Sequence, residues 1–207
     1  MTEALVPART ALVIVDMQND FLHPDGAHGR AGLDIGAGLA LLPALNDFVA
    51  QCRRVGVLPI YLQEVLTRHT SMANLVAQWG RWDTLVVEGT WGAQLHDDLV
   101  PREPDEPLVV KSNYDGFQDT VLDLVLKAHG ISTLLFAGVG TNVCVETTAR
   151  HAYGLGYRVV TLEDLCAASS VPEHEAAIWN LGTYFGEVRR SAEIVADWAL
   201  TPQVTHL

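Results

Sequence analysis

The sequence predicts an α/β protein, a three-layer α/β/α sandwich around a central, mainly parallel sheet of about six strands. Two observations carry this. Short apolar runs rich in β-branched residues alternate with segments whose apolar residues recur at helical spacing, the pattern of repeated strand–helix–strand units. A chain of 207 residues, 49% hydrophobic and 18% charged, is also long and apolar enough to bury a substantial core.

The elements follow in order. Residues 11–15 form a short buried strand ended by Asp16. Residues 37–55 carry apolar side chains at helical spacing, and Gly56 suits the C-terminal stop. A second strand spans 57–62. The stretch 63–107 is irregular, holds three of the five tryptophans and predicts short helices or turns. Its length points to a functional role beyond connection. A third strand at 108–110 and a helix at 120–128 come next. A fourth strand at 131–137 leads through two glycines into a helix at 143–155. A fifth strand at 157–162, a helix at 173–184 and a sixth strand at 188–195 complete the pattern. With no internal repeat, low-complexity segment or second unit visible, residues 1–207 read as one domain.

Composition excludes several partners. A formal charge of −12 and a pI near 4.9 argue against nucleic acid and anionic membranes. No apolar run approaches a membrane span, and residues 1–9 do not have the form of a signal peptide. Three cysteines at scattered spacings fit reduced thiols in a cytoplasmic protein better than a disulfide framework. No Cys-x-x-Cys, His-x-x-x-His or Asp-x-His cluster occurs, so no metal is expected. Gly138-Val139-Gly140 lacks a third glycine at dinucleotide spacing and no Gly-Lys-Ser/Thr occurs, so no nucleotide or other cofactor is expected either.

In open parallel sheets ligands bind beyond the C-terminal ends of the strands. Three reactive residues lie at such ends: Asp16 after the first strand, Lys111 after the third and Cys144 after the fourth. A thiol in the first turn of a helix faces unpaired backbone N–H groups and the positive end of the macrodipole, a setting that lowers its pKa and suits it as a nucleophile. The same N–H groups can hold an oxyanion. Asp16 reads as a general base or as an Asx turn or helix cap, and Lys111 as a cleft cation or a surface side chain. Cys144 itself reads as a nucleophile or as an inert buried thiol. Cys166, also past a strand end, is the fallback nucleophile, and Cys52 has a weaker claim. No histidine is placed for a Cys-His pair: His151 lies seven residues beyond Cys144, and the other histidines read mostly as surface.

Taken together, three segments resemble the isochorismatase-like hydrolases, in their cysteine-hydrolase branch. They are Val15-Asp16-Met17-Gln18-Asn19-Asp20-Phe21, then Lys111 with Tyr114-Asp115-Gly116-Phe117, and Gly138-Val139-Gly140-Thr141-Asn142-Val143-Cys144-Val145-Glu146 with Thr148-Ala149-Arg150. The resemblance implies a catalytic triad of Asp16, Lys111 and Cys144. It also implies a cis peptide between Val139 and Gly140, and an oxyanion hole from the N–H groups of Gly140 and Cys144. A parallel sheet of about six strands and assembly as a homodimer or homotetramer are implied as well. The reaction it implies is attack of Cys144 on a carbonyl, loss of ammonia or an amine, and hydrolysis of a thioester.

Among the branches, isochorismatases proper cleave a vinyl ether and lack the cysteine. Nicotinamidases usually carry an Asp-x-His after the second strand, where this chain has Gln63-Glu64-Val65-Leu66-Thr67-Arg68-His69. The chain looks most similar to ureidoacrylate and biuret amidohydrolases. The expected substrate is therefore a small amide, carbamoyl or ureido compound. Gln63 is a candidate to read a ureide, and Phe21, Tyr114 and Phe117 to wall a flat polar molecule; each aromatic also suits core packing. A silent member serving as an interaction subunit is the non-enzymatic alternative, and retention of all three triad residues argues against it.

Overall fold

In the computed structural model, which describes residues 5–79 and 84–200, six strands form one sheet with every pairing parallel. They are β1 (Thr10–Val15), β2 (Leu58–Glu64), β3 (Leu108–Lys111), β4 (Thr133–Val139), β5 (Arg158–Ala167) and β6 (Glu187–Arg189). Their spatial order is β3-β2-β1-β4-β5-β6. The chain winds outward from β1 in one direction and then returns to wind outward from β4 in the other. The strand order thus reverses between β1 and β4, the position where open sheets leave a crevice for ligands.

Eight α-helices join the strands: α1 (Asn19–Leu22), α2 (Ala27–Arg30), α3 (Gly36–Val55), α4 (Ala73–Trp79), α5 (Leu122–Ala128), α6 (Glu146–Gly154), α7 (Val171–Asn180) and α8 (Ser191–Leu200). The two-residue period of the strands sorts their side chains onto two cores. Leu12, Ile14, Leu135, Ala137 and Val160 pack on Leu45, Phe48, Val49 and Cys52 of α3 and on Ile194 and Trp198 of α8. Ala11, Val13, Val15, Leu134 and Phe136 pack on Leu122 and Leu126 of α5 and on Ala149 and Ala152 of α6. Because both faces are covered, β1 and β4 are buried at every position and are apolar throughout after their first residues, Thr10 and Thr133.

Most predicted elements are present with shifted ends. Gly56 closes α3 in the left-handed conformation at φ 85°, and Val57 N–H donates to Cys52 O at 2.9 Å. The predicted strand at 188–195 is corrected: β6 keeps only three residues and α8 begins at Ser191. Ile194 and Trp198 stand four apart and bury one helical face, while the Glu193 carboxylate accepts the Arg190 N–H at 2.9 Å. The expected helix at 143–155 is also corrected. A π-helical turn, Thr141–Val145, precedes α6, with Val145 N–H donating to Gly140 O at 3.2 Å. The stretch 63–107 contributes the end of β2 and α4, and the rest of what is described there is turns and isolated bridges. No helix among the described residues is long and apolar enough to cross a membrane.

The sheet makes a tight approach at the switch point, where Val15 pairs with Gly138. Gly138 has φ 119°, and a Cβ there would lie 2.1 Å from Val15 O. Both the dihedral and the contact demand glycine. Gly138→Ala is expected to lower unfolding stability by more than about 3 kcal/mol, read by denaturant titration.

Candidate active site

The C-terminal ends of four neighbouring strands converge on one buried cluster. Asp16 follows β1, and its N–H donates to Leu62 O at 3.1 Å while its backbone turns at φ 52°. Aspartate tolerates this left-handed conformation better than most residues. Lys111 ends β3 with its Cα in register with Glu64, the last residue of β2. Its stem carries the ammonium across to Asp16 Oδ2 at 2.8 Å, Glu64 Oε2 at 3.1 Å, Asn113 O at 2.8 Å and Cys144 Sγ at 3.5 Å. The Cys144 thiol donates to Glu64 Oε2 at 3.7 Å, and an Asp16 carboxylate oxygen lies within 4.8 Å of the sulfur. The charged side chains are 0–3% exposed.

Burial and charge set the protonation states. Burial raises the Asp16 pKa and the Glu64 carboxylate adds to the rise; Lys111 opposes both, and the result is about 6. Burial disfavours the Lys111 ammonium, but Asp16, Cys144 and Glu64 more than offset it and hold the group charged well above its ordinary range. Burial and then the Asp16 carboxylate push the Cys144 thiol well above its usual value, with Lys111 only partly opposing them. This corrects the expectation of a depressed thiol pKa. A helix N-terminus lowers a thiol pKa in a partly solvated setting, whereas this thiol is 5% exposed with two carboxylates beside it. At rest the sulfur is therefore protonated, with the carboxylates of Asp16 and Glu64 within 4.8 Å.

Asp16, Glu64 and Cys144 have the composition of a metal site, their ligand atoms lying within 4.8 Å of one another. The Lys111 ammonium lies among those atoms and supplies the positive charge itself. The donor set fits a lysine better than a divalent ion.

The cluster opens into a cavity of about 410 Å³. Asp16, Glu64 and Cys144 lie on its wall with Val139, Gly140, Asn142 and Val143. The Val139–Gly140 peptide is cis. Phe21, Leu22, His28, Leu85 and Tyr114 add an apolar and aromatic side.

The comparisons agree with this geometry. Residues 10–193 match the family model described as the isochorismatase domain. The chain belongs to the isochorismatase family. It is 34% identical over 204 residues to the ureidoacrylate amidohydrolase RutB of Enterobacter sp. (strain 638), covering 90% of this chain and 88% of that protein. Its fold is similar to a cysteine hydrolase from Pseudomonas syringae pv. phaseolicola 1448A, with a TM-score of 0.84, 27% identity, and coverage of 96% of this chain and 99% of that one. An N-carbamoylsarcosine amidase from Thermoplasma acidophilum is similar at a TM-score of 0.73 and 27% identity, covering 88% and 96% of the two chains. Asp16, Lys111 and Cys144 together form an Asp-Lys-Cys triad of this family's cysteine-hydrolase kind.

Of the sequence-derived contacts, Phe21 and Tyr114 line the cavity. Gln63 does not: its amide donates to Ala93 O at 2.6 Å, because alternation along β2 turns it away from the face that carries Glu64. Phe117 is a core residue, 7% exposed and stacked on Tyr157. Cys166 and Cys52 are buried in β5 and α3, and burial pushes both thiols far above their usual range. Two histidines expected at the surface are not there: His28 lines the cavity and His96 is buried.

Glu64 is the site residue that sequence reasoning missed. Its signal was its place, two residues past the predicted end of an apolar strand, much as Asp16 follows the first. Gln18 holds it there: the Gln18 amide donates to Glu64 O and Ala93 O and accepts the Glu64 N–H, each at 2.8 Å. The neighbours of Gln18 act similarly. Asn19 donates to Trp91 O at 3.0 Å, and Asp20 accepts the N–H groups of Ala27 at 2.9 Å and Val86 at 2.7 Å.

Removing the central cation strands two buried carboxylates. Lys111→Met is expected to cost about 3–5 kcal/mol of stability at neutral pH, with part recovered on adding Glu64→Gln. Chemical denaturation of the single and double variants measures both.

Proposed function

We propose that this enzyme is a cysteine-dependent amidohydrolase that cleaves a C–N bond of a small amide, carbamoyl or ureido compound through a thioester and releases ammonia or an amine. The observation that carries the reading is the buried Cys144 thiol 3.5 Å from the Lys111 ammonium, which holds the Asp16 carboxylate at 2.8 Å, on the wall of a cavity of small-molecule size. The similarity to a ureidoacrylate amidohydrolase and to an N-carbamoylsarcosine amidase supports a ureide as the substrate class.

The steps follow from the geometry. Asp16 takes the thiol proton as the sulfur attacks the carbonyl carbon. The Lys111 ammonium offsets the charge passing between sulfur and carboxylate, and Glu64 holds that ammonium from its other side. The N–H groups of Gly140 and Cys144, in the turn that lines the cavity, are the proposed oxyanion donors. When the tetrahedral adduct collapses, the nitrogen leaves with the proton held by Asp16. Water, giving a proton to the same carboxylate, then opens the thioester, and the proton returns to the sulfur. Phe21 and Tyr114 are proposed substrate contacts. The free, buried thiols support a reducing, cytoplasmic setting, and the family resemblance supports a homodimer or homotetramer.

Ammonia release from a panel of biuret, ureidopropionate, ureidopropionamide and nicotinamide tests the reading; silence across it, with isochorismate consumed, overturns it. On the substrate turned over, Cys144→Ser is expected to lower kcat by at least about a thousandfold. Asp16 must be ionised to accept the thiol proton, so kcat/KM is expected to fall as pH drops through about 6, with an acid limb that vanishes in Asp16→Asn.

A further inference from the structure

The charges around the cavity narrow the substrate class. Among the described residues that line it there is no arginine and no lysine. The Lys111 ammonium lies behind this wall and is already engaged by Asp16, Glu64 and Asn113 O. His28 is the remaining basic side chain on the wall, and burial lowers its pKa, which keeps the imidazole neutral at pH 7.

Two helix starts beside the cavity, those of α3 and α7, already carry carboxylates of the chain where an anionic ligand would otherwise be drawn. Asp34 Oδ1 accepts the Gly36 N–H at 2.8 Å at the start of α3, and Asp34 lines the cavity. Glu173, in the first turn of α7, lines it too and accepts the Ser170 hydroxyl at 2.8 Å. Asp20 occupies the start of α2 through the Ala27 N–H. The cavity wall therefore presents carboxylates at its outer part and, in Asp16 and Glu64, at its inner end.

A substrate carboxylate entering here loses hydration, meets like charge and gains no cation from the described residues of the wall. We propose that the cavity selects ureides and amides that carry no carboxylate, either uncharged or bearing a protonated amine, with Asp34 and Glu173 as the residues that exclude anions. This rests on the amidohydrolase reading and separates the chain's substrate from the ureidoacrylate named for its relative, which is an anion. It also disfavours isochorismate, which carries two carboxylates.

A matched set of equal length tests it: 3-ureidopropionate, 3-ureidopropionamide and (2-aminoethyl)urea. Binding of each to the Cys144→Ser protein by calorimetry reads the charge preference whether or not wild-type turns the compound over, and wild-type kcat/KM reads the amidohydrolase reading separately. The amide and the amine are expected to bind at least about tenfold more tightly than the carboxylate at low ionic strength, the gap shrinking with added salt. Adding Asp34→Asn and Glu173→Gln to the Cys144→Ser protein is expected to close most of that gap. Equal or tighter binding of the carboxylate, or no binding of any member, overturns the proposal. Residues 80–83 lie outside the described ones and include Arg81. A carboxylate preference that disappears in Arg81→Ala overturns it as well and names the missing cation.

Discussion

One buried ammonium organises this molecule. Lys111 reaches from an outer strand to the switch point, and every functional group there is defined by its distance to that nitrogen. Two carboxylates and a thiol at the ends of three other elements form a tolerable cluster only with a cation in their midst. The sheet order serves this requirement. Because β3, β2, β1 and β4 lie side by side, residues far apart in the chain end at one level and on one edge. The alternation of β2 then selects Glu64 and rejects Gln63, and the tight pairing of Val15 with Gly138 fixes how near the sulfur-bearing turn comes to Asp16.

The segment from Val15 to Phe21 divides its labour. Asp16 holds the Lys111 ammonium beside the sulfur, and Phe21 walls the cavity. Gln18, Asn19 and Asp20 bind backbone groups of the long connection after β2 and lay residues 91–96 antiparallel along themselves. Leu85 and Val86 are brought to the site by this docking, with Val86 held at φ 42° by the Asp20 carboxylate. A stretch that looks in sequence like a catalytic signature is mostly a clamp for an otherwise irregular wall.

Strands and helices with strong periodicity were legible from the chain alone, as were the triad and its strand-end placement. What was not legible depends on distance across the fold. Glu64 looked like an ordinary polar residue after a strand because its meaning lies in Lys111, forty-seven positions away. The thiol pKa was misread because helix-start electrostatics are local, whereas burial and the carboxylate of Asp16 are tertiary facts. Residues 188–195 misled for another reason: Val188 at one end and Ile194-Val195 at the other mimic a strand, and only the seat of Ile194 and Trp198 against α3 reveals the helix.

The protonated state of Cys144 has a consequence for survival in the cell. Peroxides and electrophilic metabolites attack thiolates, and a sulfur kept as a thiol is a poor target for them. Glutathione adducts and sulfenic acid form slowly on such a group. In the proposed reaction the sulfur gives up its proton only as a carbonyl arrives, which confines the nucleophile to the moment of use. The same burial that makes the sulfur unreactive on its own protects it from oxidative loss between turnovers.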